Sequence, residues 1–231
     1  MRKLVLFDID GTLLLTAGAG RRALVAALSA EVGRSDAFDR IRFDGKTDPQ
    51  IVAELLEAAG HEEPRESARV QRLCRSYVTH LEAELERPTT RTTLMPGVLD
   101  LLDRLEARED AVLGLLTGNL ERGAALKLRS GGIDPARFRV GAYGSDAAHR
   151  PQLPEIAARR AASVFGRVPT GSEVVIIGDT PADIHCGAAI AARAIAVATG
   201  SYGVSDLAAC GPHAVFVDLS ATDRVVDAIF R

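Results

Sequence analysis

The sequence predicts an α/β fold in which a mainly parallel sheet carries an inserted, all-helical subdomain. Short apolar segments typical of buried strands alternate with amphipathic segments over most of the chain, as in strand–helix–strand units. One interval, residues 16–91, breaks this alternation with helical patterns and no convincing strand. At 231 residues, the chain has room for a core and a smaller insertion.

Each predicted strand is a short apolar run that a turn signal ends. The first, residues 3–9, runs into an acidic turn that contains glycine. Such a run is too short for a helix and is typical of a strand buried on both faces. The other predicted strands are residues 111–117, 139–143, 173–178, 194–198 and 214–217.

The predicted helices have apolar residues at helical spacing. Val98, Leu101, Leu102 and Leu105 lie on one face of a helix that Pro96 could open. Further helices of the core are predicted at residues 120–131, 154–165 and 182–192, and those of the insertion at residues 21–31, 49–59 and 66–86.

The helical interval separates the first strand from the rest of its sheet. A crossover between parallel strands needs only about a dozen residues, whereas this interval has about 75. We therefore expect a core of residues 1–15 and 92–231 and an inserted subdomain of residues 16–91. Residues 88–93, which begin with a proline and continue polar, are the predicted return hinge.

Composition excludes several classes of protein. The net charge of −3 and the absence of tryptophan argue against a nucleic-acid partner, and the charge also argues against an anionic membrane surface. No apolar run is long enough for a membrane span, and Asp8 interrupts the N-terminal apolar stretch too early for a signal peptide. Three dispersed cysteines suggest neither a zinc site nor a disulfide framework. We expect a cytoplasmic protein, either a monomer or a homodimer.

Acidic and hydroxyl-bearing residues follow three of the predicted strands. Asp8 and Asp10 end the first strand, residues 117–119 (Thr-Gly-Asn) end the second, and Asp179 and Asp183 follow the strand at 173–178. Ligands of open parallel sheets bind beyond the carboxyl ends of the strands. Adjacent strands would therefore bring Asp8 and Asp179 to one edge of the sheet, although they are far apart in sequence.

These residue types suit the transfer of a phosphoryl group. Converging carboxylates repel each other unless a cation neutralises them, and oxygen ligands beside a phosphate favour Mg²⁺. Asp8 can attack phosphorus as a nucleophile, while Asp10 acts as general acid and base. Gly11 permits a sharp turn with amides near the phosphoryl oxygens, and Thr117 with the amide of Gly118 supplies further donors.

These segments resemble the motifs of the haloacid dehalogenase (HAD) superfamily. The segment DIDGT at residues 8–12 is similar to motif I, LLTGN at 115–119 to motif II, and IGDTPAD at 177–183 to motif IV. The helical insertion after motif I resembles the cap of the phosphoglycolate-phosphatase-like branch, and MPGV at 95–98 resembles the usual return to the core.

The resemblance implies a Rossmann-like core, an inserted helical cap and a magnesium ion. It also implies that the side chains of Asp8 and Asp179 and the backbone carbonyl of Asp10 bind the metal, with Asp183 a ligand directly or through water. It favours phosphate contact over a plain helix-capping turn for residues 117–119, although Asn119 would also suit an N-cap.

One motif departs from the family pattern. Motif III normally supplies a lysine, but residues 145–151 read SDAAHRP. Arg150 is our candidate for the cation that pairs with Asp8 and the phosphate, because its charge is fixed. Lys127, on the helix after motif II, is the alternative.

The insertion carries a polar turn, Gly45 to Pro49, with two possible explanations. Asp48 as N-cap and Pro49 as first helical residue would begin a helix, which is a sufficient structural role. Alternatively, the turn faces the active site and Lys46 contacts the substrate, as cap loops do in this family.

The expected function is that of a Mg²⁺-dependent phosphatase acting on a small phosphate monoester. A sugar-phosphate mutase would use the same residues. Dehalogenation is disfavoured, because the dehalogenases of the family lack an aspartate at the position of Asp10. A receiver-type phospho-acceptor module would be about half as long, and the intact Asp8, Asp10 and Asp179 argue against a non-catalytic binding protein.

Overall fold

A computed structural model describes residues 1–33 and 36–231, and six parallel strands form its main sheet. Residues 34 and 35, which belong to the predicted insertion, lie outside the described residues. The strands along the chain are β1 (Lys3–Phe7), β2 (Leu14–Leu15), β3 (Thr93–Leu94), β4 (Ala111–Leu116), β5 (Val140–Ala142), β6 (Val174–Gly178), β7 (Arg193–Val197) and β8 (Ala214–Phe216). The order in the main sheet is β5-β4-β1-β6-β7-β8, which confirms the predicted α/β fold.

Helices cover both faces of this sheet and fill the insertion. None of the helices formed by the described residues combines the length and apolarity that a bilayer crossing requires. The α-helices are α1 (Ala19–Val32), α2 (Asp48–Ala58), α3 (Ser67–Leu85), α4 (Val98–Glu106), α5 (Glu121–Ser130), α6 (Leu153–Phe165), α7 (Pro181–Cys186), α8 (Val204–Ala209) and α9 (Thr222–Phe230).

Strand β1 shows how the core is assembled. All five of its residues are buried, because successive side chains point to opposite faces that are both covered. Val5 and Phe7 pack with α4, α5 and α9, whereas Leu4 and Leu6 pack with α6 and α7. The apolar run that predicted this strand is thus explained by burial on two sides.

Helices α1, α2 and α3, which we call the cap helices, share a hydrophobic cluster of their own. Leu24, Leu28, Leu55 and Leu81 are buried in this cluster. A separate cluster supports the predicted division into a core and a cap, whose boundaries stay a prediction.

Three features differ from the sequence-based expectation. The helix predicted at residues 182–192 ends at Cys186, with Gly187 as its C-cap, and a short 3-10 turn at Ala188–Ile190 follows, after which Ala191 has a φ of 53°. Strands β2 and β3 form an antiparallel ribbon where the chain leaves and re-enters the core. This ribbon and helices α8 and α9 were not predicted.

Candidate active site

The carboxyl ends of β4, β1 and β6 lie side by side and carry the predicted site residues. Strand β1 pairs in parallel with β4 on one side and β6 on the other. The amide of Asp8 donates to the carbonyl of Ile177 at 2.9 Å, and that of Thr117 donates to Ala142 at 3.0 Å. Motifs I, II and IV therefore meet at one edge of the sheet.

Three buried carboxylates converge at this edge. Oxygen atoms of Asp8, Asp179 and Asp183 lie within 4.8 Å of one another. Burial, opposed in part by Arg150, raises the pKa of Asp8 to about 6. Burial and the neighbouring carboxylates Asp183 and Asp8 raise the pKa of Asp179 well above its usual value. Carboxylates this close repel each other unless a positive charge compensates them, so the cluster could hold a metal ion.

Local hydrogen bonds orient these carboxylates. The Thr12 hydroxyl donates to Asp179 at 3.0 Å. Thr180 donates to Asp183 from its amide at 3.0 Å and from its hydroxyl at 2.6 Å, within the capping box that begins α7. Thr12 and Thr180 were not assigned roles from the sequence, although both belong to the quoted motifs.

Gly11 makes room for Asp179 at this edge. Its φ is +83°, and a Cβ there would overlap the Asp179 carboxylate. The Gly11 amide donates to the carbonyl of Leu14 at 2.9 Å. The predicted sharp turn is present, whereas the amide that we expected near a phosphoryl group is occupied within the turn.

Arg150 lies buried beside the carboxylate cluster. Its Nη2 atom is 3.3 Å from Asp8 and also forms an ion pair with Asp183. Burial alone would lower the pKa of Arg150, but these two carboxylates outweigh it and raise that pKa. Its Nε atom is buried without a partner among the described residues. The candidate cation of motif III therefore lies against the predicted nucleophile.

Lys127, the alternative cation, contacts a different carboxylate. Its Nζ atom lies 2.7 and 2.8 Å from the two carboxylate oxygens of Asp10. Asn119 donates to Asp10 at 2.7 Å and to the Thr117 hydroxyl oxygen at 2.8 Å. Asn119 is not an N-cap, since Leu120 occupies that position of α5. Arg150 thus pairs with Asp8, whereas Lys127 pairs with Asp10.

The polar turn before α2 packs against motif II. Its N-cap is Thr47 rather than Asp48, because the Thr47 hydroxyl accepts from the Gln50 amide at 3.3 Å. The Asp48 carboxylate instead accepts from the Leu120 amide at 2.8 Å, and its own amide donates to the carbonyl of Gly118 at 2.8 Å. The predicted cap of α2 was therefore placed one residue too late.

A cavity of about 220 Å³ lies between the strand ends and the cap helices. Lys46 lines it, as the functional explanation of the turn requires, while its ammonium group pairs with Glu54. Asp48 and Tyr77 also line it, and sequence reasoning missed both. Tyr77 follows the apolar pattern of α3, and Asp48 was explained as a helix cap, so neither gave a separate signal. The cavity walls also include predicted site residues, namely Asp8, Asp10, Gly11, Thr117, Gly118, Asn119, Arg150 and Asp179.

Several solved structures share this fold. A hydrolase from Pseudomonas syringae is 22% identical with a TM-score of 0.75, and the match covers 98% of both chains. A predicted phosphoglycolate phosphatase from Haemophilus somnus is 19% identical with a TM-score of 0.70, covering 97% of this chain and 98% of that one. CbbY from Rhodobacter sphaeroides, solved with phosphate, is 20% identical with a TM-score of 0.73, covering 95% and 96%. A CbbY mutant has also been solved with xylulose-(1,5)bisphosphate.

These identities are low, so the solved structures support the fold alone. No curated protein matches the sequence. The family model of the haloacid dehalogenase-like hydrolases matches residues 5–188, which include motifs I, II and IV and the cap helices. The chain therefore belongs to the haloacid dehalogenase-like hydrolase family.

Proposed function

We propose that this protein is a Mg²⁺-dependent phosphatase that hydrolyses a small phosphate monoester through an aspartyl-phosphate on Asp8. The observation that carries the proposal is the buried cluster of Asp8, Asp179 and Asp183 with Arg150 against the nucleophile. Three carboxylates and a fixed cation suit an anionic substrate and a divalent metal better than an uncharged substrate. The solved complexes of CbbY with phosphate and a bisphosphate are consistent with this chemistry.

The residues present fit a magnesium ion. Asp8 and Asp179 would hold it with their carboxylates and Asp10 with its backbone carbonyl, all of which are the hard oxygen ligands that Mg²⁺ prefers. Asp183 already accepts from Thr180 and pairs with Arg150. Asp183 is thus better suited to a contact through water than to direct ligation. Bound Mg²⁺ would neutralise the clustered charge and stabilise the phosphoryl oxygens as a Lewis acid.

The two aspartates of motif I divide the chemistry. An Asp8 oxygen forms a bond to phosphorus as the bond from phosphorus to the ester oxygen breaks. Asp10 acts as general acid and gives a proton to that oxygen, so the alcohol leaves uncharged. Asp10 then takes a proton from water, which attacks the phosphorus and releases inorganic phosphate and the Asp8 carboxylate.

The neighbouring residues would bind and orient the phosphoryl group. The Thr117 hydroxyl oxygen accepts from Asn119, so its own hydrogen remains for a phosphoryl oxygen. The amide of Gly118 and the unpartnered Nε of Arg150 are further candidate donors. Asn119 holds the Asp10 carboxylate beside this group, and Lys46 would contact the substrate from the cap side.

The test is phosphate release from p-nitrophenyl phosphate with and without Mg²⁺. We expect turnover by the wild type that chelation abolishes, and a loss of at least about a thousandfold in Asp8→Asn, because the amide is not a nucleophile. Asp227→Asn, on the exposed surface of α9, is the matched control and should retain activity.

Two results would contradict the proposal. One is the absence of metal-dependent phosphate release from any ester tested, and the other is undiminished turnover in Asp8→Asn. Transfer of the phosphoryl group to another position of a sugar phosphate, without free phosphate, would indicate the mutase alternative.

A further inference from the structure

A short segment between α1 and α2 lies against the core at motif IV. This docking segment consists of residues 42–45 and ends with Gly45, the first residue of the polar turn. Gly45 has a φ of +71°, and a Cβ there would lie 2.6 Å from Cβ of Ala182 and 3.0 Å from the Thr180 hydroxyl oxygen. The first of these distances is too short for two carbon atoms, so only glycine permits this packing against motif IV.

Thr180, on which the docking segment packs, also orients a carboxylate of the buried cluster. The amide of Thr180 donates to Asp183 at 3.0 Å, and its hydroxyl donates to the same oxygen at 2.6 Å. Asp183 in turn pairs with Arg150. The docking segment therefore rests on the side chain that fixes the position of Asp183.

A core loop of residues 199–202, which follows β7, packs on the cluster from another side. Gly200 lies directly against Asp179, because a Cβ at residue 200 would overlap the Asp179 carboxylate. The Thr199 hydroxyl donates to the backbone carbonyl of Gly11 in motif I. The position of this loop and the orientation of Asp179 therefore depend on each other.

The same loop contacts the docking segment. The Ser201 hydroxyl donates to the Asp44 carboxylate at 3.2 Å, and the guanidinium carbon of Arg42 lies 5.4 Å from the centre of the Tyr202 ring. The hydrogen bond is exposed to solvent, so by itself it stabilises docking only weakly. Together with the packing of Gly45, these contacts join the docking segment to the two elements that hold Asp179 and Asp183.

The charge at the cluster determines how these two elements are placed. Asp8, Asp179 and Asp183 repel one another unless a positive charge compensates them. Repulsion drives the carboxylates apart, whereas a divalent cation would draw their oxygens together. Thr180 and Gly200 are in direct contact with two of these carboxylates. A change in the cluster therefore changes the surface on which the docking segment packs.

We infer that docking of residues 42–45 and binding of a divalent cation at the carboxylate cluster are coupled, so that each favours the other. The coupling runs through Thr180 and through the loop of residues 199–202. By linkage, docking strengthens cation binding by the same factor by which the cation stabilises docking. The inference rests on the proposed function, whose metal site it uses, and assigns how the cap responds to that site.

Calorimetric titration with Mg²⁺ measures one direction of the coupling. Gly45→Ala, whose Cβ would push the docking segment away from Ala182, should weaken Mg²⁺ binding by about fivefold or more. Gly60→Ala is the matched control. Gly60 has a φ of +76°, and no atom of the described residues lies within 4 Å of a Cβ there. This control shares the backbone strain of Gly45→Ala without the contact, so its Mg²⁺ affinity should equal that of the wild type.

Ser201→Ala tests the coupling without backbone strain. It removes only the exposed hydrogen bond to Asp44, so it should weaken Mg²⁺ binding in the same direction by about twofold. Ser163→Ala is its control, because it removes an exposed hydrogen bond to the carbonyl of Arg160 on α6. The Mg²⁺ affinity of Ser163→Ala should not change.

Hydrogen exchange measures the other direction. The amide of Lys46 donates to the carbonyl of Phe43 at 3.1 Å, so it reports on the docking segment. Saturating Mg²⁺ should slow its exchange by about threefold or more in the wild type and have no effect in Asp179→Asn. The amide of His61, which donates to the carbonyl of Leu56 at the end of α2, should exchange equally with and without Mg²⁺.

The outcomes separate the coupling from the function on which it rests. Equal Mg²⁺ affinity in wild type, Gly45→Ala and Ser201→Ala would overturn the coupling, as would an equal loss of affinity in Gly60→Ala or exchange at Lys46 that Mg²⁺ leaves unchanged. Metal-dependent hydrolysis of p-nitrophenyl phosphate alongside any of these results would leave the phosphatase function standing. A wild type that shows the expected differences in affinity but hydrolyses no ester would support the coupling and overturn the phosphatase function. A wild type that binds no Mg²⁺ would overturn both.

Discussion

At the scale of single residues, the two cations of the site serve different carboxylates. Arg150 contacts Asp8, the proposed nucleophile, whereas Lys127 contacts Asp10, the proposed acid and base. Both are almost fully buried. Removing either cation therefore leaves a different charge uncompensated, and the effects on turnover should differ.

We predict that Arg150→Ala lowers kcat for p-nitrophenyl phosphate by at least about a hundredfold, because charge stabilisation at the reacting group is lost. Arg150→Lys should recover part of this loss, since it keeps the charge but not the planar guanidinium. Lys127→Ala should cost less, because Asn119 still holds Asp10. Steady-state kinetics with Mg²⁺ measure the difference. If only Lys127→Ala abolishes turnover, the assignment of Arg150 is wrong.

The ionisation of the Asp48 carboxyl group affects the stability of the folded protein. Its pKa is about 6 in the fold, mainly because of burial, against a usual value of 3.8. Between these values the folded protein keeps a proton that the unfolded chain has lost. The free energy of unfolding therefore falls as pH rises through this window, by about 3 kcal/mol for a shift of this size.

Asp48→Asn should remove this loss of stability with rising pH, because the asparagine side chain does not ionise. Its side-chain oxygen can still accept from the backbone amide of Leu120. We expect the unfolding free energy of the variant, relative to wild type, to increase from about pH 4 to about pH 7. Urea denaturation at the two pH values measures it. Asp110→Asn is the control, since hydrogen bonds from Arg108 lower the pKa of Asp110 below its usual value of 3.8, so its titration window lies below pH 4 and its stability relative to wild type should change little between the two pH values. If the difference in unfolding free energy between Asp48→Asn and wild type is the same at both pH values, the prediction is contradicted.

At the scale of elements, the parts of the fold that were predictable are those with a local signal. Strand β1 and helix α4 follow from apolar runs and spacing within a few residues. The ribbon of β2 and β3 does not follow from a local pattern, because each strand has only two residues. Each forms by pairing with the other strand, which is separated from it in sequence by the cap. The end of α7 at Cys186 did have a local signal, because Gly187 is its C-cap, but the apolar pattern on both sides of this glycine predicted a longer helix.

The site shows the same division. Asp8, Asp10 and Asp179 could be predicted together because parallel strands end at a common edge. Arg150 could be proposed from its position in the chain, and its contact with Asp8 became visible only in the structure. Tyr77 belongs to the apolar pattern of α3, which by itself predicts only a buried residue. Tyr77 lines the cavity because the cap packs over the core.

At the scale of the whole molecule, the site is complete only when cap and core are in contact. The core supplies the carboxylates and cations of the proposed reaction, and residues of the cap helices line the other side of the cavity. The two are joined at motif II, where the Asp48 amide donates to the carbonyl of Gly118 and the Leu120 amide donates to the Asp48 carboxylate. The Thr47 hydroxyl donates to the carbonyl of Ala148 at 2.6 Å beside them.

Gly118 makes this contact possible, because a Cβ at residue 118 would overlap the backbone carbonyl of Lys46. We predict that Gly118→Ala forces the cap away from the strand ends and lowers kcat/KM by at least about tenfold, since small displacements of positioned groups are costly. Hydrogen exchange should accelerate at the amides of Asp48 and Leu120 and stay unchanged in β1. Gly123→Ala is the matched control in the same interface, because a Cβ there would lie 3.5 Å from Leu81, an ordinary contact. Equal exchange in the two variants would show that motif II does not hold the cap closed.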